Sequence, residues 1–331
     1  MVQQDYRDLI ECGRGAIADA AMKCEAVMST HSHALVSVSG GADSDVMLDM
    51  VERTRTVADC RVTYVWLDTG LEWRATRAHI GDLESRYGIS IERRRAEVTI
   101  PVSCRRHGVP FLSKYVSEMF RCLQSIGFEW EDEPYETLLS RYGAQTSALK
   151  WWTNAWTRTA EPGWYDIGHT RWLKEFVIDH PPDFAISAKC CTHAKKRPSR
   201  AIEREVGADV LMLGVRRAEG GVRAAHKTCF DKGHGIDTYR PLFWLSDSDR
   251  GWYAARFGVT HSDCYERWGF SRTGCVGCPL NARCATDLEM AERFELNMVR
   301  AARRVFGASY DYGQEFADYR DFMRCGMRRL F

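Results

Sequence analysis

Apolar positions in the first hundred residues switch repeatedly between two periods. Tyr6, Leu9, Ile10, Ala16, Ile17, Ala20, Ala21, Ala26 and Val27 recur at helical spacing and predict an amphipathic helix over 5–29. The run Ala34 to Val38 is short and rich in β-branched residues, which predicts a buried strand. It stops at Ser39-Gly40-Gly41-Ala42-Asp43-Ser44, and Val46, Met47 and Met50 then return to helical spacing. A second strand is predicted over 61–67 and ends in Asp68-Thr69-Gly70; a helix over 72–86 and a strand over 89–93 follow. Strand, helix, strand, helix, strand in so short a span argues for a parallel sheet with right-handed crossovers. Ligands of such sheets sit at the carboxyl ends of strands. Ser39–Ser44 and Asp68–Gly70 both lie there.

The pattern from 96 to 180 is less regular, with helices predicted near 112–126 and 134–142. Trp151, Trp152, Trp156, Trp164 and Trp172 then interleave with Lys150, Arg158, Arg171 and Lys174. Aromatics among cations can stack on bases; they can equally pack as a tryptophan-rich subdomain, which the near-zero net charge favours. Pro181-Pro182 marks a break. A basic helix over 195–206 and a strand over 209–214 follow. Ser246-Asp247-Ser248-Asp249 carries the signature of a helix start, with the helix over 247–256. The last 45 or so residues read as helical, broken around Gly307–Gly313. No repeat or low-complexity tract occurs. The fold class predicted is α/β, a doubly wound parallel sheet with a tryptophan-rich helical insertion and a helical C-terminal extension.

Composition narrows the class. The chain has 331 residues, 45% hydrophobic and 27% charged, with a net charge of +1, so no global field draws it to nucleic acid or membrane. No stretch reaches the ~20 apolar residues of a membrane helix, and the N-terminus has no apolar signal core. The default is a cytoplasmic protein. There are 13 cysteines; in a reducing compartment such a number points to metal or redox chemistry rather than disulfides.

Two groups of residues carry the candidate chemistry. At Ser39–Ser44 adjacent glycines let the backbone approach an anion, and the start of a helix adds partial positive charge. No Gly-Lys-Ser/Thr follows, so this is not the usual mononucleotide loop. Asp43 could serve a magnesium ion or cap the helix. The second group is Cys275-x-x-Cys278, which could serve zinc, a redox dithiol or an iron-sulfur cluster. Cys190 and Cys191 are adjacent, an awkward arrangement for one tetrahedral ion but one able to address two irons of a cubane. Cys284 is a substitute ligand or a buried thiol; core packing is the default for the other cysteines.

Together these strings resemble the phosphoadenosine phosphosulfate (PAPS) reductase family of the PP-loop, adenine-nucleotide α-hydrolase-like superfamily. Ser-Gly-Gly-x-Asp-Ser at 39–44 is similar to the superfamily's pyrophosphate loop. Asp68-Thr69-Gly70-Leu71-Glu72 resembles the family's strand end beside the adenosine. Gly214, Arg216, Glu219 and Arg223 match its Gly-x-Arg-x-x-Glu-Ser-x-x-Arg, with Gly220 in place of the serine. Cys190, Cys191, Lys195 and Pro198 match Cys-Cys-x-x-x-Lys-x-x-Pro, and Cys275 and Cys278 match its Cys-x-x-Cys. The resemblance covers about residues 33–285. It implies a PP-loop domain over 1–285, with an insertion at about 104–180, and a helical extension over 286–331. It implies a 4Fe–4S cluster on Cys190, Cys191, Cys275 and Cys278, with Lys195 near it. Phosphates or sulfate would be held by Ser39, Gly40, Gly41, Asp43 and Ser44, the nucleoside would face Asp68 and Gly70, and anionic oxygens would meet Arg216 and Arg223.

Two departures bear on the reaction. The loop is complete, as in enzymes that split ATP. The tail, Met323-Arg324-Cys325-Gly326-Met327-Arg328-Arg329, keeps only Cys-Gly of the family's terminal Glu-Cys-Gly-Leu-His. Flanking arginines favour a thiolate at Cys325, as a nucleophile requires, but any terminal cysteine among arginines would share this. The leading expectation is reduction of PAPS or adenosine phosphosulfate (APS) to sulfite through Cys325 with a thioredoxin-like reductant. The second is an ATP-using, Mg2+-assisted sulfur transferase acting on DNA or tRNA. The third is a non-catalytic nucleotide sensor with a structural metal.

Overall fold

The computed structural model describes residues 2–157 and 161–328. They divide into two compact units: unit 1 comprises 1–97 and 195–275, and unit 2 comprises 98–194 and 276–331. The tryptophan-rich stretch and the C-terminal helix therefore belong to the same unit.

In the first stretch of unit 1, α1 (Val2–Ile10) and α2 (Gly15–Thr30) precede β1 (His33–Val38), α3 (Ala42–Arg55), β2 (Arg61–Asp68), α4 (Arg74–Tyr87) and β3 (Ile91–Arg95). The single helix expected over 5–29 is thus two. Gly13, at φ 75°, turns the chain between them, a conformation glycine adopts without the steric cost other residues carry. Unit 2 takes over with α5 (Ile100–His107), α6 (Lys114–Gln124), α7 (Tyr135–Tyr142), α8 (Thr146–Trp152), α9 (Leu173–Asp179) and the short α10 (Lys189–Cys191). The chain returns to unit 1 as a π turn (Thr192–Lys196) runs into α11 (Arg197–Val206). Next come β4 (Val210–Leu213), α12 (Gly221–Ala224), β5 (Phe230–Asp231), β6 (Asp237–Tyr239), α13 (Asp247–Phe257) and α14 (Asp263–Glu266). The long α15 (Cys284–Arg328) closes unit 2.

The six strands form one sheet in the order β3-β2-β1-β4-β6-β5, parallel except for β5. The expected parallel βαβαβ start is present. β1 lies at the centre, and its register puts Ser37 beside Val65 of β2 and Leu213 of β4. Val36 and Val38 face the main core of unit 1 with Met47, Met50, Tyr64 and Tyr253. Leu35 faces the other way, toward α11, with Val65 and Ile202.

In unit 2, Trp151 and Trp152 are buried with Phe120, Phe176, Tyr312 and Phe316. The packing reading holds for these two tryptophans, whereas Trp156 and Trp164 are exposed. α15 is not broken at Gly307–Gly313. Its non-helical residue is Glu295 (φ −135°, ψ 53°). A glycine inside a helix costs only about 1 kcal/mol. Buried Phe306, Ser309, Tyr312 and Phe316 hold the helix through both glycines, with the Ser309 hydroxyl donating to the Pro110 carbonyl at 2.6 Å. Among the described residues no helix is long and apolar enough to cross a membrane.

Candidate functional site

The loop after β1 is built by its own side chains. The Ser39 N–H donates to Ser44 Oγ at 2.8 Å, and the Gly41 N–H to Ser39 Oγ at 3.3 Å. Gly40 stands at φ 68°, and a Cβ there would meet Thr76 Cγ2 at 2.8 Å. Gly214, at the end of β4, lets the start of α3 pack closely: a Cβ would lie 3.0 Å from Ser44 Cα. Tyr265 Oη and Thr273 Oγ1, 3.0 Å apart, border the loop at Gly41.

The Asp43 carboxylate does not cap α3; it pairs with arginines. Its Oδ1 accepts from Arg216 Nε at 2.8 Å and from Arg250 Nη1 at 3.3 Å. Buried Arg216 also donates to Asp247 at 2.8 Å. The Arg216 guanidinium thus bridges two carboxylates, one of them the loop acid. Surface pairing of Arg216 with Glu219 is corrected, since the Glu219 carboxylate pairs with Arg223 and takes only the Arg216 backbone N–H. Arg223 is left in a cation-rich place. Burial and the charges of Arg272 and Arg216 push its pKa below the usual guanidinium value, with Asp43 opposing. An anion bound there would relieve that crowding.

Behind the loop, on α3, Asp45 is fully buried between His79 Nε2 at 3.0 Å and His261 Nδ1 at 2.9 Å. Burial of His79 opposes its charge, but the adjacent Asp45 carboxylate, with Asp82 and Glu266, raises its pKa above the ordinary value. A raised folded pKa gives stabilisation that is complete below the unfolded value of ~6.5 and lost as pH rises through the folded one. The melting-temperature advantage of the wild type over His79→Gln is therefore expected to be largest below about pH 6.5 and to shrink at higher pH. A constant difference from pH 5 to 9 would contradict this.

At the end of β2, Asp68 accepts from the Gly70 N–H at 2.8 Å and from Arg77 at 3.0 Å, which fixes the turn. Glu72 hydrogen-bonds the Thr69 hydroxyl. Burial raises the Glu72 pKa against the charge of Lys195. Lys195 also lines a cavity of about 300 Å³ between the sheet and α11, walled by Leu35, Ser37, Val65, Leu213 and Ile202.

The thiols gather in unit 2. Cys190 is buried on α10, and its pKa is pushed up to about 12 by a hydrogen bond with Cys104 and by burial, with a bond to Cys191 opposing and the Cys278 charge adding. Cys284 is pushed up to about 11 by burial, with the Tyr310 hydroxyl opposing and Cys278 adding. Cys275 is the last residue of unit 1, its sulfur 3.9 Å from Thr69 Oγ1.

Residues 33–119 match the family model described as the phosphoadenosine phosphosulfate reductase domain. That stretch of the chain is similar to the PAPS reductase domain family. An adenosine 5'-phosphosulfate reductase of Neisseria meningitidis is 34% identical over 102 residues, 30% of this chain and 40% of that protein. The chain thus matches well under half the length of that reductase. An uncharacterized 37.8 kDa protein of Escherichia phage 186 is 27% identical over 275 residues, 81% of this chain and 73% of its own. Among solved structures, a PAPS reductase from Candida auris has 12% identity, covers 72% of this chain and 80% of its own, and gives a TM-score of 0.38.

The resemblance implies a cluster, and thiolates are the donors that would hold one. Cys191 and Cys278 both act on the Cys190 thiol. Among the described residues no three His, Cys, Asp or Glu side chains could hold a single metal ion. Cys325 is exposed near the end of α15, where Arg324 pairs with Asp321 at 3.8 Å; Arg329 and the side chain of Arg328 lie outside the described residues.

Motif reading carries Arg272 and Thr273 only as part of the string that leads to Cys275 and Cys278, and it missed Arg250, Tyr265 and Cys104. Arg272 and Thr273 stand directly before Gly274-Cys275, so their place was available from the string. Arg250, Tyr265 and Cys104 belong to no spacing pattern and come to their sites only through the fold.

Proposed function

We propose that this protein is an iron-sulfur enzyme that reduces an adenylylated sulfate, APS or PAPS, to sulfite. The observation carrying this reading is the neutralised loop. With Asp43 paired to Arg216 and Arg250, the anion cradle has cations on its loop acid. A sulfonucleotide needs such a cradle, since its phosphate and sulfate must be bound without ATP being split. In this reading the nucleoside faces Asp68 and Gly70 at the end of β2.

In this reading the Cys325 thiolate attacks the sulfate sulfur. The bond from sulfur to the bridging phosphate oxygen breaks, and the adenine nucleotide leaves with that electron pair. Arg223 and Arg272 balance the negative charge. The S-sulfonate on Cys325 is then attacked at Sγ by one thiol of a thioredoxin-like dithiol, which releases sulfite. The second thiol frees Cys325, and the dithiol ends as a disulfide. A 4Fe–4S cluster on Cys190, Cys191, Cys275 and Cys278 would supply a fixed charge that tunes the electrostatics of the sulfate.

The completeness of Ser39–Ser44 favours a second reading, an ATP-using sulfur transferase acting on nucleic acid. Asp43→Asn separates the two. If the loop acid serves only as the partner of two arginines, the variant is expected to bind APS at least as tightly as wild type, equally in EDTA and in magnesium, by titration calorimetry. ATP binding that requires Mg2+ and disappears in Asp43→Asn would support the second reading instead.

A further inference from the structure

Ser37 is exposed although β1 is a central strand, paired with β2 on one side and β4 on the other. Parallel strands of this kind are ordinarily covered on both faces. α11 covers this face through buried Ile202, which packs with Leu35 and Val65. Beside that contact the helix stands off the sheet and leaves the cavity of about 300 Å³. The sheet wall is apolar, made by Leu35, Val65, Leu67, Leu211 and Leu213 around Ser37. The helix wall is cationic, with exposed Lys196 and Arg200 beside Lys195. Glu203 is the one carboxylate lining the cavity; burial raises its pKa, against the charges of Arg200 and Arg204. An apolar wall opposite a cationic one suits a flat apolar ring that carries an anionic group.

The anion loop is close, but it is a separate place. Ser37 precedes Ser39 by two residues, about 6.6 Å along a strand, so a purine ring over Ser37 brings its own 5′-phosphate to Ser39–Ser44. The charge of Lys195 acts on Glu72, just past the end of β2, so α11 starts at the same carboxyl end of the sheet. No residue of 39–44 lines the cavity. A nucleotide held in this way therefore meets cations twice: at the loop through its 5′ side, and at Lys196 and Arg200 through its sugar. APS carries anionic groups only on the 5′ side. PAPS adds a phosphate on the 3′ oxygen, with about −1.5 to −2 of charge at pH 7. We propose that this chain selects PAPS over APS, with Lys196 and Arg200 binding the 3′-phosphate. The inference rests on the reading that a sulfonucleotide is bound here, and it names which one.

Titration calorimetry of PAPS against APS, and of adenosine 3′,5′-bisphosphate against AMP, tests this in wild type, Arg200→Lys and the double variant Lys196→Ala/Arg200→Ala. Wild type is expected to prefer the 3′-phosphorylated member of each pair about ten- to a hundredfold. Both cations are exposed, so the preference is expected to grow as salt is lowered. The double variant is expected to bring both affinity ratios close to one, and Arg200→Lys, which keeps the charge, to retain part of the preference. Equal affinities within each pair in wild type would overturn the proposal, as would a preference that survives in the double variant. A wild type that binds none of the four nucleotides overturns the sulfonucleotide reading itself. A PAPS preference without sulfite release overturns the reductase chemistry and supports the selection.

Discussion

Replacing Arg223 with alanine is expected to lower the affinity for APS or PAPS about ten- to a hundredfold while leaving the fold intact. A charge-assisted hydrogen bond contributes about 1.5–3 kcal/mol, and 1.4 kcal/mol is a factor of ten. Arg223 pairs with Glu219, and in the proposed reading the anion is its second partner. It is half-buried, and Arg272 and Arg216 crowd it with like charge. Its removal leaves Glu219 partly exposed to water, so stability should change little. Arg216→Lys provides the contrast. That side chain bridges Asp43 and Asp247 from two edges of one guanidinium, a geometry an ammonium cannot reproduce. It is expected to lower the melting temperature as well as the affinity. Calorimetric titration with APS and thermal melting of both variants check this. Unchanged affinity in Arg223→Ala would remove the anion site from this end of β4.

The second large effect concerns the thiols. Cys190→Ser or Cys278→Ser is expected to abolish the visible absorbance of anaerobically prepared protein and most of its iron and sulfide. Cys24→Ser is expected to leave both unchanged, because Cys24 is buried in the core of unit 1 with its pKa pushed up to about 12 by burial. A colourless, zinc-loaded wild type would contradict the cluster, and equal iron in Cys190→Ser would contradict the ligand.

The sheet was legible in the sequence because its central strands are short, apolar and each followed by a turn that only a few residue types can make. Ala34–Val38 before Gly40-Gly41 could hardly be anything else, and Arg61–Leu67 before Asp68-Thr69-Gly70 is nearly as clear. Helix ends were less legible. The gap between α1 and α2 depends on one glycine at positive φ, and helical spacing continues across it. The glycines at 307 and 313 mislead in the other direction, since packing of Phe306, Tyr312 and Phe316 overrides their weak local preference.

The site divides in the same manner. Strings fixed by backbone geometry, such as Ser39–Ser44 and Gly214, can be read directly. Charge partners cannot. Arg216 and Asp43 are 173 positions apart in the chain, and only the pairing of β1 with β4 brings their elements together. Read as a motif, Arg216 looks like an anion ligand; in the fold it neutralises the loop. In the proposed reading that difference changes the chemistry assigned to Asp43, and Arg223 and Arg272 bind the anion.

Sulfite release is the most direct test of the central claim. Anaerobically purified protein is supplied with APS or PAPS, thioredoxin and its reductant, in EDTA. The account predicts sulfite and free adenine nucleotide in equal amounts, without added metal and without pyrophosphate. Pyrophosphate released from ATP only with magnesium, and no sulfite from either sulfonucleotide, would contradict it.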